Sequence, residues 1–131
     1  MNATVRTLAR LGLGAALALA AGCGSENRLE RVDFSYETTP PDQTTVSASS
    51  IVVRTGQAIA VRAHPVMSED ELEDDDRFEL RSQDQAVLGV DQGDEPYLFV
   101  IYGVTPGDTR VQAFVNGRPG PTINATVVVV P

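Results

Sequence analysis

The sequence predicts an all-β fold, an antiparallel sandwich of about seven strands, and three observations predict it. Apolar and polar residues alternate at a period of two, Phe78 and Leu80 against Glu79 and Arg81, Val111 and Ala113 against Arg110 and Gln112, as half-buried strands require. Turn-forming clusters separate such runs at short intervals. Thr55-Gly56, Pro106-Gly107 and Asn116-Gly117-Arg118-Pro119-Gly120-Pro121 each supply backbone conformations that a strand does not. From Thr44 onward no stretch carries the apolar stripe of an amphipathic helix.

The chain opens on a leader, residues 1–22. Arg6 and Arg10 precede the apolar run Leu11 to Ala21, which is shorter than the roughly 20 residues that span a bilayer, so a cleaved export signal is expected rather than a permanent helix. Residues 23–43 read as a tether. Ser, Thr, Glu, Asp and the Pro40-Pro41 pair dominate there, a composition that buries little surface and favours an extended chain. Within it Val32, Phe34 and Tyr36 alternate with Asp33, Ser35 and Glu37, a pattern open to two readings, an extra edge strand or an adhesive part of the tether.

Residues 44–131 form the expected domain, with strands over 46–54, 57–63, 77–82, 86–90, 97–104, 109–115 and 123–130. Pro106-Gly107 is expected to make a type II turn, with Pro presetting its first corner and Gly accepting the positive φ at the second.

Composition sets limits on partners. Ten arginines and no lysine face 18 Asp and Glu, for a formal net charge of -8, and such a surface repels phosphate backbones, so nucleic acid is not expected as a partner. Cys23 is the single cysteine. An exported sandwich without a second cysteine has no internal disulfide and depends on packing.

Leu19-Ala20-Ala21-Gly22-Cys23 resembles the lipobox of bacterial lipoproteins, in which small residues before the cysteine permit cleavage and its thiol carries diacylglycerol. The usual leucine three residues before the cysteine is replaced by Ala20, with Leu19 one step earlier. The resemblance implies lipidation at Cys23 and a membrane anchor. Gly24, standing where enterobacterial lipoproteins retained at the inner membrane have Asp, implies the outer membrane.

The domain carries Ser50-Ile51-x-Val53-x-x-Gly56-Gln57, Leu80-x-Ser82-x-Asp84-x-x-Val87-Leu88-x-Val90, Gly103-Val104-x-Pro106-Gly107-x-Thr109-x-Val111-x-Ala113 and the run Ala125 to Val130. It resembles the bacterial immunoglobulin-like group 2 domain, with Leu80 where that family usually has Trp. The resemblance implies an Ig-like sandwich of the kind found in surface adhesins and as an accessory module of exported enzymes, and it brings no catalytic residues.

Glu69 to Asp76 places seven carboxylates in eight residues. Asp70, Glu73, Asp74, Asp75 and Asp76, joined by Asp91 and Asp94 if the two loops meet, are the oxygen donors available to a Ca²⁺ ion. The run lacks the glycine and alternate spacing of an EF-hand, and solvated loops that keep sheet edges soluble are the preferred reading. His64, the single histidine, stands before Pro65 at an expected strand end and belongs to no recognisable nucleophile motif. Asn124-Ala125-Thr126 fits a glycosylation acceptor and is read as strand.

Alternation in the last two strands turns Val111, Ala113, Val115, Ile123, Ala125, Val127 and Val129 to the core. It leaves Phe114, Val128 and Val130 outside, beside Glu79 and Arg81, as a patch for a protein or glycan partner. The expected function is that of a non-catalytic envelope lipoprotein whose Ig-like domain binds, adheres or acts as a spacer. The alternatives are a Ca²⁺-stabilised structural module and a small exported hydrolase.

Overall fold

The computed structural model describes residues 26–129 and shows nine strands among them. They are β1 (Leu29–Tyr36), β2 (Thr45–Val46), β3 (Ser50–Arg54), β4 (Ala58–Met67), β5 (Phe78–Ser82), β6 (Leu88–Gln92), β7 (Leu98–Gly103), β8 (Gly107–Val115) and β9 (Arg118–Val128). One sheet runs β1-β4-β7-β6 and the other β2-β3-β9-β8-β5. All pairings are antiparallel except β3 with β9, which is parallel. Sheet one thus has the A-B-E-D order of an immunoglobulin sandwich, and β5, β8 and β9 stand as its strands C, F and G. The expected antiparallel sandwich is the observed architecture, with one parallel pairing, at β3. That strand follows β1 across to the second sheet and lies alongside the terminal strand in the same direction.

The inner faces meet in one core. Val32, Ile59, Val61, Ala63, Leu88, Phe99 and Ile101 from the first sheet face Ile51, Val53, Phe78, Leu80, Val111, Ala113, Ile123, Ala125 and Val127 from the second, all buried. Each set recurs at alternate positions along its strand, the spacing by which a pleated strand presents one face. Phe78 reaches across the sandwich to Phe99, with ring centroids 5.9 Å apart at 79°, an edge-to-face arrangement aromatic pairs favour. No buried side-chain nitrogen or oxygen lacks a partner among the described residues.

Several boundaries differ from expectation, each for a local reason. The segment Val32 to Tyr36 is resolved in favour of a strand: β1 pairs with β4 from Leu29↔Met67 to Tyr36↔Val61, and Val32 is 2% exposed. The tether expected over residues 23–43 therefore gives up residues 29–36 to the sheet. The run 46–54 divides into β2 and β3, because the Ser47 hydroxyl accepts from the Ser49 and Ser50 amides and donates to the Ser50 carbonyl, closing a turn. The strand expected at 86–90 begins two residues later, since the Asp84 carboxylate accepts from the Ala86 amide and its carbonyl from the Val87 and Leu88 amides.

His64 and Pro65 lie inside β4, which continues to Met67. Pairing with β7 ends at Arg62↔Leu98, so Pro65 pairs only with β1, and a proline is tolerated on such an edge. Gly107 takes φ 154° as the first residue of β8, not the φ near +80° of a type II corner. Only Asn116 and Gly117, at φ 51° and 81°, turn β8 into β9, the two left-handed corners of a type I′ hairpin. Arg118 to Pro121 are strand, paired across a bulge between Gln112 and Phe114. The Gln112 side-chain amide donates to the Gly120 carbonyl there. Val129, expected in the core, is 67% exposed, because β9 ends at Val128 and, among the described residues, no neighbouring strand pairs beyond it.

Candidate functional site

The end of the sandwich where the described chain begins gathers the most side-chain chemistry. The β4–β5 loop (residues 68–77), the β8–β9 hairpin and the start of β1 meet there around a cleft of about 570 Å³. Leu29, Met67, Leu72, Val115, Pro119 and Pro121 supply apolar walls, and Glu26, Arg28, Asp76 and Arg118 the charged ones.

Hydrogen bonds fasten the chain start to the acidic loop. Arg28 donates from its amide to the Ser68 hydroxyl at 2.9 Å, and Ser68 returns an amide bond to the Arg28 carbonyl at 2.8 Å. The Asn27 side chain accepts from the Glu69 amide at 2.9 Å and donates to the Asp70 carbonyl at 2.9 Å. Glu26 forms an ion pair with Arg118 of β9. The loop is likewise tied to the hairpin. Asp76 accepts from the Glu73 amide at 2.8 Å and from the Asn116 side-chain nitrogen at 3.0 Å, while Asn116 accepts from the Arg77 amide at 2.8 Å.

The Glu73 amide and then Asn116 hold the Asp76 carboxyl below its ordinary pKa, because both bonds favour the charged form. A depressed folded-state pKa contributes stability that is fully present above the unfolded value and is lost as pH falls through the folded one. The stability difference between the wild type and Asp76→Asn is therefore expected to shrink when denaturant melts are repeated at successively lower pH through the acid range. Asn116→Ala is expected to cost about 1–2 kcal/mol at neutral pH, from the left-handed backbone and the lost bonds.

Of the expected Ca²⁺ donors, Asp70, Glu73, Asp74, Asp75 and Asp76 lie in this loop, and Asp91 and Asp94 lie in and just after β6. Asp76 lines a cleft with Gln92 and Tyr97 that neither Asp91 nor Asp94 lines, and the Tyr97 phenol is pushed up by burial and then by the charges of Asp76 and Asp74. Among the described residues no three carboxylate, histidine or cysteine groups converge on one point. Leu72, within the acidic run, turns inward against the core, so the run is a loop folded over the sandwich end.

His64 sits on the outer face of β4, with Nε2 2.9 Å from the Ser35 Oγ of β1. Sequence reasoning missed this contact because it depends on the β1–β4 register. Asp33, opposite His64 in that register, instead accepts from Arg31. The serine and imidazole lie on an exposed sheet face, with no carboxylate orienting the ring among the described residues, which a nucleophile–base pair ordinarily has. Asn124 is exposed on β9, between Ser50 of β3 and Arg110 of β8.

The expected patch divides. Phe114 is outward and half-buried beneath the Arg81 guanidinium, 4.6 Å from its ring centroid, and Arg81 pairs with Glu79 at 3.0 Å. Val128, also half-buried, lies at the opposite end of β9, beside Arg54 of β3. Phe114 faces Pro119 in the β8–β9 register and Gly107 faces Val127, which separates the two side chains by about 30 Å at roughly 3.3 Å per residue. Parity placed Phe114 and Val128 on the outer face; the register, which alternation does not encode, decides which outward residues are neighbours. Cys23 and Val130 lie outside the described residues.

The chain matches no protein-family model, and no curated protein is similar to it in sequence at a significant level. Among solved structures it is similar to one described as the crystal structure of the S-layer protein SbsC domains 4 and 5, at 17% identity and a TM-score of 0.45. That likeness covers 73% of this chain and 54% of the other, so this chain spans about half the length of the structure it resembles.

Proposed function

We propose that this protein is a non-catalytic envelope lipoprotein, anchored through Cys23, whose Ig-like domain is held at the membrane surface as a binding or spacing module. The observation that carries this reading is the junction. Hydrogen bonds lock Asn27 and Arg28 onto the acidic loop, only four and five residues after the lipobox cysteine. Covalent geometry allows at most about 11 Å between the Cα atoms of Cys23 and Glu26. A lipid on Cys23 thus sets the domain close against the bilayer, with no long tether between them.

The fold supports an orientation to match this reading. The acidic β4–β5 loop and the β8–β9 hairpin face the lipid, and the β3–β4 and β7–β8 turns point away. An acidic loop within about a Debye length of anionic headgroups, roughly 8–10 Å at physiological salt, is repelled by them. The lipid, not surface charge, therefore supplies the attachment. A partner approaching from the aqueous side meets the far turns or the outer sheet faces, where Phe114 and Arg81 stand.

Cys23→Ser is the test. The variant is expected to leave the detergent phase for the aqueous phase or to accumulate as unprocessed precursor. If it partitions into detergent as the mature wild type does, the lipid reading is wrong.

A further inference from the structure

We propose that the β5 edge joins two copies of this chain into a symmetric dimer by antiparallel strand pairing about Leu80. Among the described residues β5 is the last strand of its sheet, with β8 as its one strand partner. Just beyond its ends, Asn116 donates from its amide to the Arg77 carbonyl and Gln83 from its amide to the Arg110 carbonyl, each at 2.8 Å. Alternation then points the backbone groups of Arg77, Glu79, Arg81 and Gln83 toward β8 and those of Phe78, Leu80 and Ser82 toward the open edge. Such a row of donors and acceptors, with no strand partner among the described residues, is a template for another strand.

Charge selects the occupant. On the outer face Glu79 and Arg81 stand one residue either side of Leu80. A second copy paired antiparallel about a two-fold axis at Leu80 puts each Glu79 directly opposite the other chain's Arg81, and each Phe78 opposite Ser82. Opposite charges at facing positions favour this register, and a slip that sets like charges face to face disfavours it. The same patch of surface serves both copies, as a two-fold interface requires. Phe114, opposite Glu79 on β8 and beneath Arg81, flanks the seam from each side with apolar surface.

The other edges lack this combination. β1 also spaces Arg31 and Asp33 about a central residue, but a register shift between Leu29 and Arg31 interrupts its ladder. β2 has two residues, and the charge carried by β6 is Asp91 alone. β5 is regular over all five residues. The proposal does not depend on lipidation at Cys23.

The experiment is sedimentation equilibrium of the full chain in density-matched detergent, comparing the wild type, Arg81→Glu, Glu79→Arg and a one-to-one mixture of the two variants. Both positions are solvated, so folding is expected to persist, and thermal melts of each variant check this. The wild type is expected to dimerise reversibly, and each variant alone, with like charges facing across the seam, to dimerise about tenfold more weakly or less. Mixing the variants restores opposite charges at every facing position and is expected to recover a heterodimer within about threefold of the wild-type affinity. A monomeric wild type, unaffected single variants, or variants that weaken dimerisation without recovery on mixing would each overturn the proposal.

Discussion

Phe99→Ala is expected to destabilise the domain by about 3–5 kcal/mol, the usual cost of deleting a large aromatic side chain from a packed core. Phe99 is 2% exposed, and its ring meets Phe78 edge to face across the two sheets. Removing it takes away a contact that joins β7 in one sheet to β5 in the other. The lining cannot collapse freely, since Val61, opposite Phe99 in the β4–β7 register, is fully buried on its own strand. With a single cysteine in the chain, no disulfide holds the sheets together as one does in antibody domains. A loss of this size is a large share of the roughly 5–15 kcal/mol typical of a folded domain. The midpoint of a urea melt should fall with little change in slope.

Gly103→Ala is the second large effect, expected at about 1–3 kcal/mol from overpacking. A Cβ at Gly103 would lie 2.5 Å from the Arg54 carbonyl oxygen and 3.0 Å from a Val127 methyl. The obstacle is mainly backbone, which has little room to yield. Gly103 ends β7 where the chain leaving β3 passes: its carbonyl accepts from the Gly56 amide, its amide donates to the Gln57 carbonyl, and it bridges Thr55 in parallel. Gly89 makes a useful contrast. An added Cβ there meets the Tyr102 ring at 2.0 Å, and a half-buried ring on the outer sheet face can swing away. Gly89→Ala should therefore cost less than Gly103→Ala in the same melts.

The all-β class and the facing of most strands were legible because period-two alternation is a local signal. Val111, Ala113, Ile123, Ala125 and Val127 are all buried as alternation predicts. Strand ends were less legible. Asp84 and Ser47 set theirs through side-chain bonds to backbone, and Pro119 to Pro121 look like a turn until the bulge at Gln112 is known. Val32 to Tyr36 could not be decided from sequence because its partner, β4, lies some thirty residues away. The contacts between sites were the least legible. The Ser35–His64 contact, the distance from Phe114 to Val128 and the clasp of Asn27 on the acidic loop all depend on register between distant strands, and composition carries none of it.

The central claim, that the acidic end of the sandwich sits against the membrane on a short lipid junction, is tested most directly by membrane depth. A spin label at Asp75→Cys in the β4–β5 loop and another at Thr105→Cys in the β7–β8 turn, each in the full chain as its cells produce it, should differ in collision with a lipid-soluble relaxation agent in native vesicles. The account predicts that the label at position 75 lies at the headgroups and the label at position 105 lies in water, tens of ångströms away. Equal remoteness of both labels from the lipid, or the reverse order, would contradict it.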